Sequence, residues 1–171
     1  MEHTGAKLIE PTLAMKSELL EMALEYRAAG DDRYREAIEN VNAFICRLQD
    51  YARGLNLPPG HVRTNYYWLV DGGKMIGRSG IRHHLTPRLE NEGGNIGYDI
   101  RPSERLKGYG TLILKLTLNE ARQLGLTRVL LTCDADNTAS ARIIEKNGGK
   151  FVGQEISKGF GKLISHYWIE L

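Results

Sequence analysis

The chain has 171 residues, 42% hydrophobic and 26% charged, with 23 Lys and Arg against 21 Asp and Glu for a net charge of +2. This is one domain's length and a globular composition, able to bury roughly 70% of the unfolded surface without staples. The small net charge argues against a nucleic-acid partner, and Cys46 and Cys133 are too few for a disulfide framework or a zinc cluster, so no metal is expected. No apolar run approaches the roughly 20 residues of a membrane span, and Met1 to Glu10 lacks the apolar segment of a signal peptide. The expectation is a cytoplasmic protein with no membrane partner.

Ala6 to Thr12 reads as a short first strand, with Pro11 at an edge or an end. From Leu13 to Ala29, Met15, Leu19, Leu20, Met22, Ala23 and Tyr26 recur at helical spacing, and Gly30 ends that helix. Asp31 or Asp32 can cap a second helix, whose stripe runs through Tyr34, Ala37, Ile38, Val41, Phe44, Ile45, Leu48, Tyr51 and Ala52. Gly54 and Pro58-Pro59-Gly60 close it, and the stripe belongs to a core. Tyr66 to Val70 is an aromatic, β-branched strand, Asp71-Gly72-Gly73-Lys74 a hairpin turn, and Met75 to Leu85 the returning strand. Thr86 to Gly94 reads as a polar connection and Asn95 to Ile100 as the next strand.

Thr111 to Leu124 is a helix ended by Gly125, and Arg128 to Asp134 a buried strand. Asn137 opens a short helix that stops at Asn147-Gly148, and Phe151 to Ser157 with Lys162 to Leu171 make an antiparallel terminal pair. The order β-α-α-β-β-β-α-β-α-β-β predicts an α/β (mixed α+β) single domain. Its central sheet is mixed and mostly antiparallel, with helices on both faces and one parallel β-α-β unit from Asn95 to Asp134.

The strongest chemical signal is Arg101-Pro102-Ser103-Glu104-Arg105-Leu106-Lys107-Gly108-Tyr109-Gly110-Thr111. A strand that enters a helix through a basic, glycine-containing turn presents main-chain N–H groups without internal partners at the positive end of the helix dipole. That arrangement holds a phosphate. Gly108 and Gly110 let a ligand approach the backbone, and Arg105 and Lys107 add charge. A plain helix-start turn is the alternative reading. The turn is not a Walker loop, and Gly108-x-Gly110 lacks the third glycine of a dinucleotide fingerprint.

Arg105-x-x-Gly108-x-Gly110 follows a strand ending in Ile100-Arg101-Pro102, and Asp134-Ala135-Asp136-Asn137 and Ile143-Ile144-Glu145-Lys146-Asn147-Gly148 come after it. Together they resemble the GNAT superfamily of acyl-CoA N-acyltransferases over Tyr66 to Leu171, while the two amino-terminal helices match in order only. The Asn-x-x-Ser and Glu-Lys-x-Gly patterns are most similar to the branch with protein N-terminal, aminoglycoside and polyamine acetyltransferases and uncharacterised relatives. The resemblance implies a sheet opened by a splay, residues 1–60 on the acceptor side, and residues 61–171 as the cofactor core and terminal hairpin. It implies acetyl-CoA as co-substrate, without metal, and direct transfer in a ternary complex to the amine of a small molecule, a protein N-terminus or a lysine. Pantetheine would lie along Asp99, Ile100 and Arg101. The pyrophosphate would be held by Arg105, Leu106, Lys107, Gly108, Tyr109, Gly110, Thr111 and Leu112, with Asn137 and Ser140 beside the pantetheine arm. Asn137 reads equally as a helix N-cap, and the two roles are compatible. The terminal strands offer an edge through which a homodimer could form.

The catalytic residues do not carry over. Where the family often has a tyrosine to protonate the leaving thiolate, this chain has Ile144, leaving Tyr98, Tyr109 and Tyr167 as substitutes or as packing residues. Positions where relatives place a glutamate are Gly94 and Thr132. Base candidates are then His83, His84, Glu92 and Asp134, each with a structural or surface role as the alternative. Cys133 at a strand end suits a covalent intermediate poorly, because no paired histidine activates it. A non-catalytic acyl-CoA sensor is the competing reading, and a nucleic-acid module built on Arg101, Arg105 and Lys107 a third.

Overall fold

Successive residues of a strand face opposite sides of its sheet, and here a different set of helices covers each side. The computed structural model describes residues 5–171; Met1 to Thr4, the start of the stretch read as free of a leader, lie outside them. One sheet contains β1 (Lys7–Ile9), β2 (Thr64–Asp71), β3 (Lys74–Arg82) and β4 (Ile96–Ile100) in that order. The other contains β5 (Arg128–Asp134), β6 (Lys150–Ile156) and β7 (Leu163–Glu170), with β7 in the middle. All pairings are antiparallel.

Helices α1 (Lys16–Ala28), α2 (Arg35–Glu39) and α3 (Val41–Arg53) precede β2. Between strands lie α4 (Pro87–Asn91), α5 (Tyr109–Gln123) and α6 (Thr138–Lys146), following β3, β4 and β5 respectively. Leu19, Met22, Tyr26, Phe44, Ile45 and Leu48 of the first three helices, with Tyr34 just before α2, pack on Trp68 and Met75. On the other side, Leu114, Leu118 and Ile144 pack on Tyr67, Ile81, Ile96, Val129 and Ile169. Among the described residues no helix is long and apolar enough to cross a membrane.

The predicted second helix is in fact two. Asn40 adopts an extended backbone (φ −154°, ψ 90°), and its side-chain oxygen accepts a bond from Ala43 N–H (3.0 Å), capping α3. Asparagine bonds nearby main chain as readily as it continues a helix, so the break hides inside an apolar stripe that runs on through it. The predicted polar connection contains α4. Thr86 caps it by accepting from Leu89 N–H (3.3 Å), and Pro87 takes the first turn.

The β-α-β unit closes no parallel ladder. β4 and β5 meet where Asn95 N–H donates to the Leu130 carbonyl (2.7 Å) and Leu130 N–H donates to Asn95 Oδ1 (2.8 Å). No strand pairing continues beyond that point, and this is the splay. Gly94 lies at the seam, where a Cβ would come 2.3 Å from the Leu130 carbonyl oxygen. A glutamate cannot stand there. Thr132, the other glutamate position, accepts a bond from Gly93 N–H (2.8 Å).

Arg101 fastens the end of β4 to α1. Its buried guanidinium donates to Glu25 (2.6 Å), Glu18 (3.2 Å) and Glu21 (3.3 Å). Burial pushes the Glu25 carboxyl up, but bonds from Arg101 and Ser103 outweigh it and hold the group below its ordinary value. A depressed folded value contributes stability above the unfolded value of about 4.3, and that stability is lost as pH falls through the folded value. Arg101→Leu is expected to cost about 2–3 kcal/mol, less than the ~3–5 of a wholly buried pair, because its carboxylate partners keep contact with water. Urea denaturation at about pH 7 and about pH 3.5 measures both effects, and the variant should lose less on acidification than the parent.

Candidate active site

β4 ends at Pro102, which has no N–H to extend the ladder, and one tight turn over Pro102–Glu104 leads into the glycine loop. Leu106 (φ 61°) and Gly108 (φ 89°) are both left-handed. For a leucine that conformation costs on the order of 1 kcal/mol, and the Leu106 side chain stands wholly in solvent, where no packing offsets the cost. Gly108 opens the 15-residue helix α5 without any side-chain cap bond. The Gly110 and Thr111 N–H groups in its first turn therefore remain available to an anion. Gly110 has a packing role too, since a Cβ there would come 2.6 Å from Ile143 Cδ1 of α6.

Loop, helix start, β4 and α6 enclose a cleft of about 650 Å³. Of the expected cofactor residues, Asp99, Ile100, Arg105, Leu106, Gly108, Gly110, Thr111, Asn137 and Ser140 line it. Four other side chains turn away from it. Arg101 points to α1, Lys107 pairs with Glu104 (2.9 Å), Tyr109 donates to Asp71 (2.8 Å), and Leu112 packs beside Tyr109 and Ile113. The basic trio Arg101, Arg105 and Lys107 is thus dispersed rather than presented as one surface. Asn137 is the N-cap of α6, accepting from Ser140 N–H (3.1 Å), while also lining the cleft.

Tyr26, Arg33, Arg142, Ile143 and Lys146 line the cleft as well, and sequence reasoning missed them as site residues. Arg142 and Lys146 lie one turn apart on α6, a spacing that could have flagged a cationic rim. Tyr26 reads as core in any periodic pattern. Arg105 stacks on its ring (5.4 Å) and donates to the Ile100 carbonyl (3.2 Å).

The register fixes which main chain faces the cleft. Bonds from Arg82 N–H to the Asn95 carbonyl and from Arg101 N–H to the Ile76 carbonyl place Asn95, Gly97, Asp99 and Arg101 among the residues bonded to β3. The main-chain groups of Tyr98 and Ile100 point the other way, into the splay. The expected stretch Asp99 to Arg101 therefore exposes its edge at Tyr98 and at the Ile100 N–H, while the Ile100 carbonyl already accepts from the Tyr26 hydroxyl (2.7 Å) and Arg105 Nε (3.2 Å).

The family model of the Acetyltransferase (GNAT) domain matches residues 21–150. The chain belongs to the GNAT acetyltransferases. Among solved structures it is similar to a Salmonella typhimurium acetyl transferase that modifies the N-terminal serine of a 50S ribosomal subunit protein (TM-score 0.73, 15% identity, 98% of this chain and 96% of that one). It is similar also to Mycobacterium smegmatis RimJ in complex with a CoA-disulfide (TM-score 0.76, 17% identity, 96% and 81%). A third is the microcin self-immunity acetyltransferase MccE in complex with acetyl-CoA and AMP (TM-score 0.72, 16% identity, 98% and 93%). No curated protein sequence matches. As a GNAT member the chain is an acyl-CoA-dependent N-acetyltransferase, and the sensor reading is not favoured.

None of the four base candidates of this GNAT chain lines the cleft. His83 is bonded to Asn65 (2.7 Å), and burial, Arg63 and His84 together hold its imidazole below the usual value. His84 is exposed, and Asp134 pairs with Lys162 (3.0 Å). Glu92 accepts a short bond from Ser157 and braces the turn before β7. Of the three tyrosines expected as substitutes, Tyr167 is buried against Phe151, and only Tyr98 reaches the cleft, its hydroxyl 3.1 Å from Ser140 Oγ. Burial pushes Tyr98 up to about 12. Burial likewise raises the Cys133 thiol, which is the wrong direction for a nucleophile.

Asp99 lies where this cleft meets a second recess of about 200 Å³ on the opposite face of the sheet. Its carboxylate accepts from Tyr34 (2.6 Å) and Tyr26 (3.3 Å) and pairs with Arg78 (3.6 Å). Burial, and then Asp99, drive the Tyr26 hydroxyl far above its ordinary range, so it stays protonated and donating.

Gly110→Ala is expected to cost less than about 1 kcal/mol, because the atom in the way is the end of the Ile143 side chain, which can turn aside, and alanine is the better helix former. The double variant Gly110→Ala/Ile143→Ala should recover part of it, and thermal denaturation of the two variants measures the coupling.

Proposed function

We propose that this GNAT enzyme takes the acetyl group from acetyl-CoA and passes it directly to an α-amine held on the side of residues 1–60. The observation that carries the reading is the cleft itself, a left-handed glycine loop and an uncapped helix start ringed by Arg33, Arg105, Arg142 and Lys146. Main-chain N–H groups of the loop would take the pyrophosphate, and Arg142 and Lys146 the outer phosphate. Pantetheine would pair with the main chain of Tyr98 and the Ile100 N–H on the free edge of β4, which brings the thioester to the splay.

The amine nitrogen attacks the thioester carbonyl carbon, the C–N bond forms, and the C–S bond breaks as the electron pair leaves on sulfur. The proton lost by nitrogen goes to water and the thiolate is released to take one from solvent, so the products are the acetamide and CoA thiol. Tyr98 acts as a hydrogen-bond donor to the developing thiolate and not as a full acid. A donor near 12 facing a thiol of about 8.5 would pay about 5 kcal/mol for complete transfer.

Neither recess contains a histidine among the described residues, and Asp99, their one carboxylate, already serves three donors. The acceptor must therefore arrive neutral by itself. An α-amine of about 7.7–8.0 is neutral roughly 300 times more often than a lysine of about 10.4. That factor selects the α-amine.

Calorimetry with acetyl-CoA tests the cofactor reading. Arg142→Glu is expected to weaken binding about tenfold, more at low than at high salt, because a screened charge contact has been reversed. Tyr98→Phe should lower kcat by roughly 10- to 100-fold with acetyl-CoA affinity retained, the loss of one bond to a charged group. Steady-state release of free CoA thiol measures it.

A further inference from the structure

The second recess has a floor without side chains. Gly80 and Gly97 stand opposite each other on β3 and β4, with Tyr66 over one and the Arg82 guanidinium about 4.0 Å from where a Cβ of the other would be. Thr64, Arg78, Arg82 and Asp99 complete the walls. Arg78 is neutralised by Asp99 and sandwiched by the Tyr34 (4.8 Å) and Tyr66 (5.5 Å) rings.

Arg82 is different. Its Nη1 donates to the carbonyls of Gly93 (2.9 Å) and Gly94 (3.0 Å), which aim the guanidinium, while Nε and Nη2 make no hydrogen bond among the described residues. No described carboxylate lies within ion-pair distance of it. Burial, with Arg78 and Arg88 adding to it, pushes its proton affinity down, the mark of a cation that lacks a counter-charge. Carbonyl anchoring leaves the fork fixed and half used, and a planar fork matches a carboxylate in two parallel bonds.

We propose that Arg82 is the specificity residue for the acceptor, and that the acceptor is an amine whose own molecule bears a carboxylate a few bonds from the nitrogen. Its carboxylate sits on Arg82, and the amine reaches past Asp99 toward the splay. At about 200 Å³ the recess is smaller than the ~300–1,000 Å³ of drug-sized pockets, so it takes a short group. Polyamines and aminoglycosides are excluded by charge, since the recess has two guanidinium groups against one carboxylate. An acidic peptide N-terminus and a free amino dicarboxylate share the required chemistry.

The inference rests on the acetyl-transfer reading, and one experiment separates the two. With acetyl-CoA present, free-thiol release is measured for short peptides beginning Glu or Asp, their Gln or Asn counterparts, free glutamate, and spermidine, alongside acetyl-CoA calorimetry. The expected result is a kcat/KM for a carboxylate-bearing amine on the order of 10- to 100-fold above its amide counterpart, with no turnover of spermidine. Preference for peptide or for glutamate identifies the source. Arg82→Gln should abolish that preference through KM at unchanged acetyl-CoA affinity, and Arg82→Lys, which keeps the charge and loses the fork, should restore part of it. Equal or better use of amide or cationic acceptors, a preference unaltered in Arg82→Gln, or acetyl-CoA binding without turnover of any acidic amine overturns the acceptor proposal and leaves the cofactor reading standing. Failure to bind acetyl-CoA overturns both.

Discussion

A single carboxylate joins the halves of this molecule. Asp99 projects from the last turn of pairing in β4 and receives the hydroxyls of Tyr26, from α1, and Tyr34, just before α2. Its third partner, Arg78, comes from β3. A partly buried charge with donors from three elements tolerates little displacement, because moving any one leaves the others facing an unpaired group. The amino-terminal helices are thereby held against the strand that borders both the cleft and the smaller recess. Arg101, two residues on, repeats the tie to α1 with three glutamates.

From that joint the cleft follows by subtraction. β3 saturates one edge of β4, and on the other edge only Asn95 reaches β5. Steric closure at Gly94 keeps the two sheets in contact at that single seam, so they open away from it. Into the opening point the spare main-chain groups of β4, the uncapped start of α5 and the capped start of α6. At 15–17% identity to its structural neighbours the chain keeps their fold over nearly its whole length.

The two recesses that share Tyr98 and Asp99 have different electrostatics. Cations at the cleft rim lie on helix and loop surfaces and face bulk water. Arg82 in the smaller recess is instead held by two carbonyls and has no counter-ion among the described residues. Oriented charge of that kind costs stability and is most economically explained by a partner that arrives with the opposite sign.

Local chemistry made much of this legible. The aromatic, β-branched strand of Tyr66 to Val70, the Asp71-Gly72-Gly73-Lys74 turn, the Asn137 cap and the glycine pair 108/110 all act within a few residues of themselves, and each stands where its pattern indicates. The sequence by itself determined the order of the strands and of most helices, the glycine turn before α5 and the family, though not the break at Asn40 or the helix α4. Tertiary structure decided that Arg101 turns away to glutamates far along the chain while Arg142 and Lys146 line the cleft; Lys107 turns to Glu104, only three residues before it. It also decided that Gly94 excludes a glutamate, that His83 and Glu92 are occupied elsewhere, and that Tyr98 alone of three tyrosines meets the cleft. A side chain's type is a property of its position in the chain, but its partner is a property of the fold.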